Sequence, residues 1–331
     1  MRKRILSIGL TTLLAGCHPG SDTGGGAVTP LHLAFVIHLE GHPQVTLKNH
    51  EQRVQVVKDI SAIFEEHEAL VTWEMDDTIA TSVIFDDPYL ADIEASGHGI
   101  GVHANLGGDP DDESFTQNDF VTALEKMKFS LESQGISVRH VSGACSHLDW
   151  PQAVSEAGYA FYSGGVTYCL QSLPTELRPL PHDECTQPSA CHDVFPRLLW
   201  RRMHPWRADP DNWTQHDASG DLVIMPAMLD SLFGLDEGSR GEDVGVSRGD
   251  PILNERDIAA LLKHVDRASL RAKPERLNTF VIQWSMGPVF DEDFLHLLLE
   301  SFEPRRADGR VVWSTMPRIY DSYLEWEQGR L

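Results

Sequence analysis

Basic residues are scarce in this chain: 27 Lys and Arg stand against 50 Asp and Glu among 331 residues, a formal net charge of -23. Such an excess opposes binding to nucleic-acid phosphates and to anionic lipid surfaces, and it favours neutral or cationic partners, of which amino sugars are one class. Long apolar runs are also missing. Beyond the first sixteen residues nothing approaches the roughly 20 apolar residues of a membrane-spanning helix. Neither a phosphate-cradling glycine loop nor a nucleophile elbow is present, because Gly24-Gly25-Gly26 and Gly164-Gly165 lack the strand-to-helix context that either requires. There is no sustained internal repeat, and cysteine occurs only five times.

What is present begins with Arg2, Lys3 and Arg4, an apolar run from Ile5 to Leu14, and then Ala15-Gly16-Cys17. A basic start, a short apolar core and small residues before a cut point form an export signal. The ending Leu14-Ala15-Gly16-Cys17 resembles the bacterial lipobox, which implies a signal peptide over residues 1–16 and lipidation of Cys17. The membrane contact expected is that lipid alone, and His18, where Asp commonly retains lipoproteins at the inner membrane, points to the outer one. The expected location is therefore the bacterial cell envelope. Loss of the three basic residues with the signal takes the charge from -23 to -26. Residues 17–30, rich in Gly, Ser and Thr, read as a flexible tether, and one folded domain is expected over 31–331. Cys145, Cys169, Cys185 and Cys191 remain; in an oxidising compartment they suggest two disulfides with three possible connectivities, and their spacings fit no zinc module.

From Leu31 onward, strand-like runs alternate with helical patterns. The strands expected are Leu31–Glu40, Leu70–Glu74, Gly99–Asn105, Val138–Ser142, Tyr159–Ser163, Leu222–Pro226, Phe280–Ser285 and Val311–Thr315. Helix faces are marked by Val57, Ile60 and Phe64; by Phe120, Leu124, Met127 and Leu131; by Ile258, Leu261, Leu262 and Val265; and by Phe294, Leu297 and Leu298. Seven or eight such units predict an α/β fold, a single (β/α) barrel, closed or slightly open. Two stretches break the rhythm. Thr167 to Asn212 carries three cysteines and many prolines and reads as a disulfide-braced loop over the strand ends; Asp230 to Pro251, rich in Gly and Asp, reads as a surface insertion.

Barrels of this kind place chemistry at the carboxyl ends of their strands. In the first strand Ala34, Val36, His38 and Glu40 share one face, while Leu33, Phe35, Ile37 and Leu39 share the other, which is wholly apolar and calls for a helix. The second strand ends at Trp73-Glu74 and runs into Asp76. The third puts Gly99, Gly101, His103 and Asn105 on one face, with room beneath His103, while His98 lies at the strand's entry. After the fourth come Cys145, His147, Asp149 and Trp150, and the seventh offers Gln283 and Ser285. Imidazoles and a carboxylate converging from separate strands suit a divalent ion with an open position for water. The expected ligands are His38, Glu40 and His103, with His147 or Asp149 beside them. A lone strand-end histidine is more often structural; it is their occurrence on neighbouring strand ends that points to a metal. Trp73, Trp150, Trp206 and Trp213 offer flat faces for sugar rings, core packing being the alternative for each, and Arg207 a partner for a carboxylate or oxyanion.

These residues resemble, in layout and in part of the motifs, the polysaccharide deacetylase superfamily. Ile37-His38-Leu39-Glu40-Gly41 stands where that family's first strand carries Thr-Phe-Asp-Asp-Gly, so Glu40 occupies the metal-binding aspartate's place. Gly97-His98-Gly99-Ile100-Gly101-Val102-His103-Ala104 follows the family's second motif closely, and His103 matches its first metal histidine. The second metal histidine falls at Gly107, the base at Leu39, and the Arg-Pro motif at Ser142-Gly143. The resemblance implies metal-assisted removal of an N- or O-acetyl group from an envelope or extracellular glycan, with zinc the expected ion and cobalt, nickel or manganese as substitutes. Glu40, Asp149 or His38 would take the proton, and His147 or His204 would protonate the leaving group. Two other readings stand beside it: a catalytically inactive glycan-binding or assembly lipoprotein that depends on Trp206 and Trp213, and a glycosidase pairing Glu40 with Glu74 or Asp76.

Overall fold

The structure, a computed structural model, describes residues 28–39, 46–76, 79–106, 114–178, 203–228, 255–285 and 291–329. The expected strands appear as β1 (Leu31–Leu39), β2 (Val71–Met75), β3 (Gly99–His103), β4 (His140–Ser142), β5 (Phe161–Gly165), β7 (Val223–Pro226), β8 (Thr279–Ser285) and β9 (Val311–Trp313), joined by a short β6 (Trp206–Arg207). The helices are α1 (Leu47–Glu66), α2 (Ile79–Ile84), α3 (Tyr89–Ala95), α4 (Gln117–Glu132), α5 (Trp150–Glu156), α6 (Tyr168–Gln171), α7 (Glu255–Ser269), α8 (Glu292–Glu300), α9 (Glu303–Ala307) and α10 (Met316–Glu327).

The strands form one curled sheet in the order β6-β7-β5-β4-β3-β2-β1-β8, with β9 on the first residues of β1. All pairings are parallel except β6 with β7. The sheet is nearly a ring: just past β7, Met228 N–H donates to Val281 O of β8 at 2.9 Å. Across the interior, the side chain of Gln283 fills the space left by Gly164, where an added Cβ would fall 1.3 Å from Gln283 Nε2. This is the distorted barrel expected of the repeated βα units. The departure is β6, which a two-residue antiparallel pairing adds where a lid was expected.

Strand alternation sorts β1 as its sequence requires. Leu33, Phe35, Ile37 and Leu39 lie in the larger core with Val57, Ile60 and Phe64 of α1, where Phe35 meets Phe64 edge-on at 5.6 Å. Ala34 and Val36 face an inner cluster with Phe161, Val223, Met225 and Val281. Helix starts are chemically marked. Thr46 caps α1, Thr116 and Asp119 form a capping box on α4, and Asp291 and Thr315 cap α8 and α10. A Cys145–Cys169 disulfide, one of the expected pairings, ties the β4–α5 loop to α6, whereas Cys185 and Cys191 lie outside the described residues. No helix among the described residues is long and apolar enough to cross a membrane.

Candidate metal centre

Parallel register builds the site. His38 of β1 lies beside Glu74 of β2, Glu74 beside Gly101 of β3, and His103 of β3 beside Ser142 of β4. Residues paired side by side send their side chains to the same face, so three strand ends deliver their polar groups to one place. His38, Glu74 and His103 each offer a ligand atom, all within 4.8 Å of one another, and all three residues are buried. His38 Nε2 is 3.0 Å from Glu74 Oε2, and the His38 and His103 rings stack with centroids 4.0 Å apart.

Glu74 is the centre of this arrangement. It has no exposed surface, and its second oxygen, Oε1, is 3.3 Å from Nε2 of His140, which is also wholly buried. Neither of those two atoms makes an aligned hydrogen bond within the protein. Burial by itself would push the Glu74 carboxyl up, but the adjoining imidazoles of His140 and His38 outweigh it and hold the group well below the usual carboxylate range. The charged form of Glu74 is thus favoured within a fully buried site. The Ser142 hydroxyl donates to Glu74 Oε2 and lies 2.8 Å from His103 Nδ1. The glycines of β3 make room as expected, though for a different ring: a Cβ on Gly101 would fall 2.1 Å from His140 Nε2.

The donor set fits a divalent ion. Two imidazoles and one carboxylate with a further open position are a catalytic zinc set, whose donors sit about 3.3 Å apart around a tetrahedral ion. Side-chain rotation spans the difference from the distances seen here. The unaligned Glu74 Oε1 is an acceptor in reserve, as expected of a carboxylate whose partner arrives with a ligand.

The other expected site residues divide sharply. Glu40 and Cys17 lie outside the described residues; among the described residues the carboxylate that joins His38 and His103 is Glu74, to which sequence reasoning assigned a role only in the glycosidase alternative. Asp149 is the N-cap of α5, accepting from Gln152 N–H at 3.1 Å, while its own backbone is held by Gln117, so its carboxylate is engaged in helix capping. His147 lies on the loop leaving β4, with Nδ1 buried and without a hydrogen-bond partner. His204 binds Leu277 O at 2.9 Å and adjoins Met203, whose carbonyl accepts from Thr279 at the amino end of β8; it sits at the far end of the barrel from His38.

The four tryptophans are not sugar platforms. Trp73 and Trp150 are fully buried, donating to Ser61 Oγ and Cys169 O. Trp206 donates to Trp213 O, and Trp213 packs edge-on against Trp150 at 4.9 Å. Arg207 is spent on an ion pair with Glu327 at 2.8 Å and on Gly220 O. His98 lies at the entry of β3 as expected, accepting from Val71 N–H and facing Glu65. Sequence reasoning missed Ser142 and His140. Their signal was the alternation Val138, His140, Ser142, which puts two polar groups on the inward face of the fourth strand.

No family model and no curated protein matches the chain by sequence. Solved structures do match in shape. A protein described as a polysaccharide deacetylase from Mycobacterium smegmatis superposes with a TM-score of 0.54 at 14% identity, covering 91% of this chain and 93% of its own. PuuE allantoinase gives 0.52 at 12% identity over 90% and 91%. A 4-alpha-glucanotransferase from Thermococcus litoralis also gives 0.52 at 12% identity, over 88% of this chain and 40% of its own. At these identities the likeness is one of fold, and the chain has the distorted (β/α) barrel fold that the polysaccharide deacetylase structure displays.

Proposed function

We propose that the protein is a metal-dependent hydrolase that removes acetyl groups from an envelope or extracellular polysaccharide, exported and held at the membrane by lipid on Cys17. The observation that carries this reading is the convergence of His38, Glu74 and His103 at the carboxyl ends of three adjacent strands. Its fold context is the superposition on the Mycobacterium smegmatis protein, and its charge context is the strongly acidic chain, suited to a neutral or amino-sugar polymer. A divalent ion held by these three residues would polarise the acyl carbonyl and lower the pKa of a bound water.

The chain's own groups then divide the remaining work. Glu74, enclosed among the imidazoles, anchors the cluster. The stacked rings of His38 and His103 hold each other's orientation. His147, on the loop leaving β4, is the imidazole that would take the proton from the attacking water and pass it to the departing amine or alcohol. The inactive-binder reading depended on Trp206 and Trp213, and their burial removes its support. The glycosidase reading needs two carboxylates open to a sugar, whereas Glu74 is enclosed by imidazoles.

The test is metal analysis of the purified domain followed by incubation of zinc-, cobalt-, nickel- and manganese-loaded protein with acetylated chitooligosaccharides, acetylxylan and peptidoglycan. Stoichiometric metal and acetate release that His38→Ala and His103→Ala abolish are expected. Full metal loading with no acetate released from any substrate overturns the deacetylase reading.

A further inference from the structure

We propose that Ser142 is a positioning residue that locks His103 as its Nδ1–H tautomer by bridging it to Glu74, leaving Nε2 as the nitrogen that meets a metal or a proton. The catalytic meaning of this rests on the metal-centre reading above; the geometry does not.

A serine hydroxyl has one proton to give. Ser142 donates it to Glu74 Oε2, which accepts it. The Ser142 oxygen, its proton committed, can only accept from the group on its other side. That group is His103 Nδ1, 2.8 Å away, which must therefore carry the hydrogen. In neutral imidazole the lone pair then belongs to Nε2.

The ring is held as well as polarised. His103 and Ser142 are paired in the β3–β4 register, and Ala104 N–H donates to Ser142 O at 2.8 Å, which fixes the two backbones together. One ring face stacks on His38 at an interplanar angle of 22°. The Nδ1–Cε1 edge lies against Gly143, where an added Cβ would fall 2.7 Å from Cε1 and 3.0 Å from Nδ1. Gly143 has φ of +63°, so its backbone turns the chain away just where the ring needs space. A carboxylate that orients a metal-bound histidine commonly touches it directly. Here a hydroxyl is interposed, which lets one carboxylate both join the cluster and orient a member of it.

The experiment is nitrogen-15 NMR of histidine-labelled, metal-free protein at mildly alkaline pH, with zinc titration calorimetry on the same samples and circular dichroism to check the fold. Wild type is expected to show His103 as Nδ1–H. Ser142→Ala should release the ring into mixed tautomers and weaken zinc binding about 10–100-fold. Ser142→Thr, which keeps the hydroxyl, should restore both. His103 found as Nε2–H in wild type, or Ser142→Ala leaving tautomer and zinc affinity unchanged, overturns the proposal. The wild-type spectrum decides it even where Ser142→Ala fails to fold. Absence of zinc binding by wild type would instead strike the metal-centre reading and leave the tautomer result standing.

Discussion

Replacing Gly101 by Ala is the sharpest steric test of the site, because a single methyl group would enter space that His140 already fills. The added Cβ would lie 2.1 Å from Nε2, 2.4 Å from Cε1 and 2.6 Å from Cδ2. To recover an ordinary contact of about 3.4 Å, the imidazole has to retreat by about 1.3 Å, the overpacking typical of a filled core. It has little room to do so. Its ring stacks on Phe161 at 4.7 Å and 10°, and its Nε2 is 3.3 Å from a carboxylate with no exposed surface. Overpacking of this kind costs about 1–3 kcal/mol, and the ordinary advantage of Ala over Gly in a strand returns about 0.5–1 kcal/mol. The net expectation is a loss of about 1–2 kcal/mol, read as a lower urea midpoint with unchanged slope. His140→Ala removes the obstacle. In the Gly101→Ala, His140→Ala double variant the two effects should therefore couple by at least about 0.5 kcal/mol, with the cavity left by the ring partly filled by the new methyl. A Gly101→Ala variant as stable as wild type, or a cycle showing additive effects, refutes the claim that the third strand's glycine exists to admit the fourth strand's histidine.

Removing the Cys145–Cys169 bridge, with a sequence separation of 24, should cost about 3 kcal/mol by loop-closure entropy; denaturation with and without reductant, and of Cys145→Ser with Cys169→Ser, measures it. Acidification should weaken the fold before any carboxylate protonates. Burial lowers His98, His204 and His32 from their ordinary 6.5. Below that value the unfolded chain binds protons that the folded chain refuses, so stability falls as pH drops through 6.5 toward the folded values. Thermal melts between pH 7.5 and pH 5 should show that fall, and His98→Gln should make it shallower; an unchanged slope counts against burial as the cause. Glu327→Gln, which breaks the Arg207 pair, should cost at most about 1 kcal/mol, since exposed pairs are worth little, and should leave metal content untouched in elemental analysis.

How much of this was legible in the sequence depended on whether one strand's own period carried the information. The faces of β1 were readable because alternation is a property of one strand: Leu33, Phe35 and Ile37 pack on α1, and Val36 and His38 turn inward. The same rule, applied one strand later, separates Trp73 from Glu74, since neighbours point to opposite faces, and it sends the tryptophan to Ser61 of α1. Its burial was thus available to the sequence reading, and aromatic bulk near a strand end hid it. Register between strands was not available. Which residue of β2 lies beside His38, and which of β4 beside His103, follows from loop lengths and packing that no local pattern encodes. Arg207 and Glu327 are 120 residues apart, and His204 reaches the amino end of β8 through a chain return; neither leaves a trace in spacing.

That difference explains why the motif pointed to Glu40, which lies outside the described residues, and passed over Glu74 as a ligand. Alignment by motif runs along a strand and assigns the acid to Glu40, two residues beyond His38 on the same chain segment. Chemistry at a barrel mouth runs across strands, where neighbours lie about 4.8 Å apart. Glu74, level with His38 on one side and across Gly101 with His140 on the other, and diagonal to His103, faces three imidazoles at once. An acid on β2 that reaches β4 also requires that β3 present no side chain between them. Gly101 meets that requirement, being the residue registered beside Glu74 and the one whose missing side chain His140 occupies. The glycine, the three histidines and the glutamate are therefore one arrangement. Refilling position 101 should disturb the Glu74–His140 contact first and the His38–His103 stack second, an order that NMR titration of the assigned imidazoles in Gly101→Ala can establish.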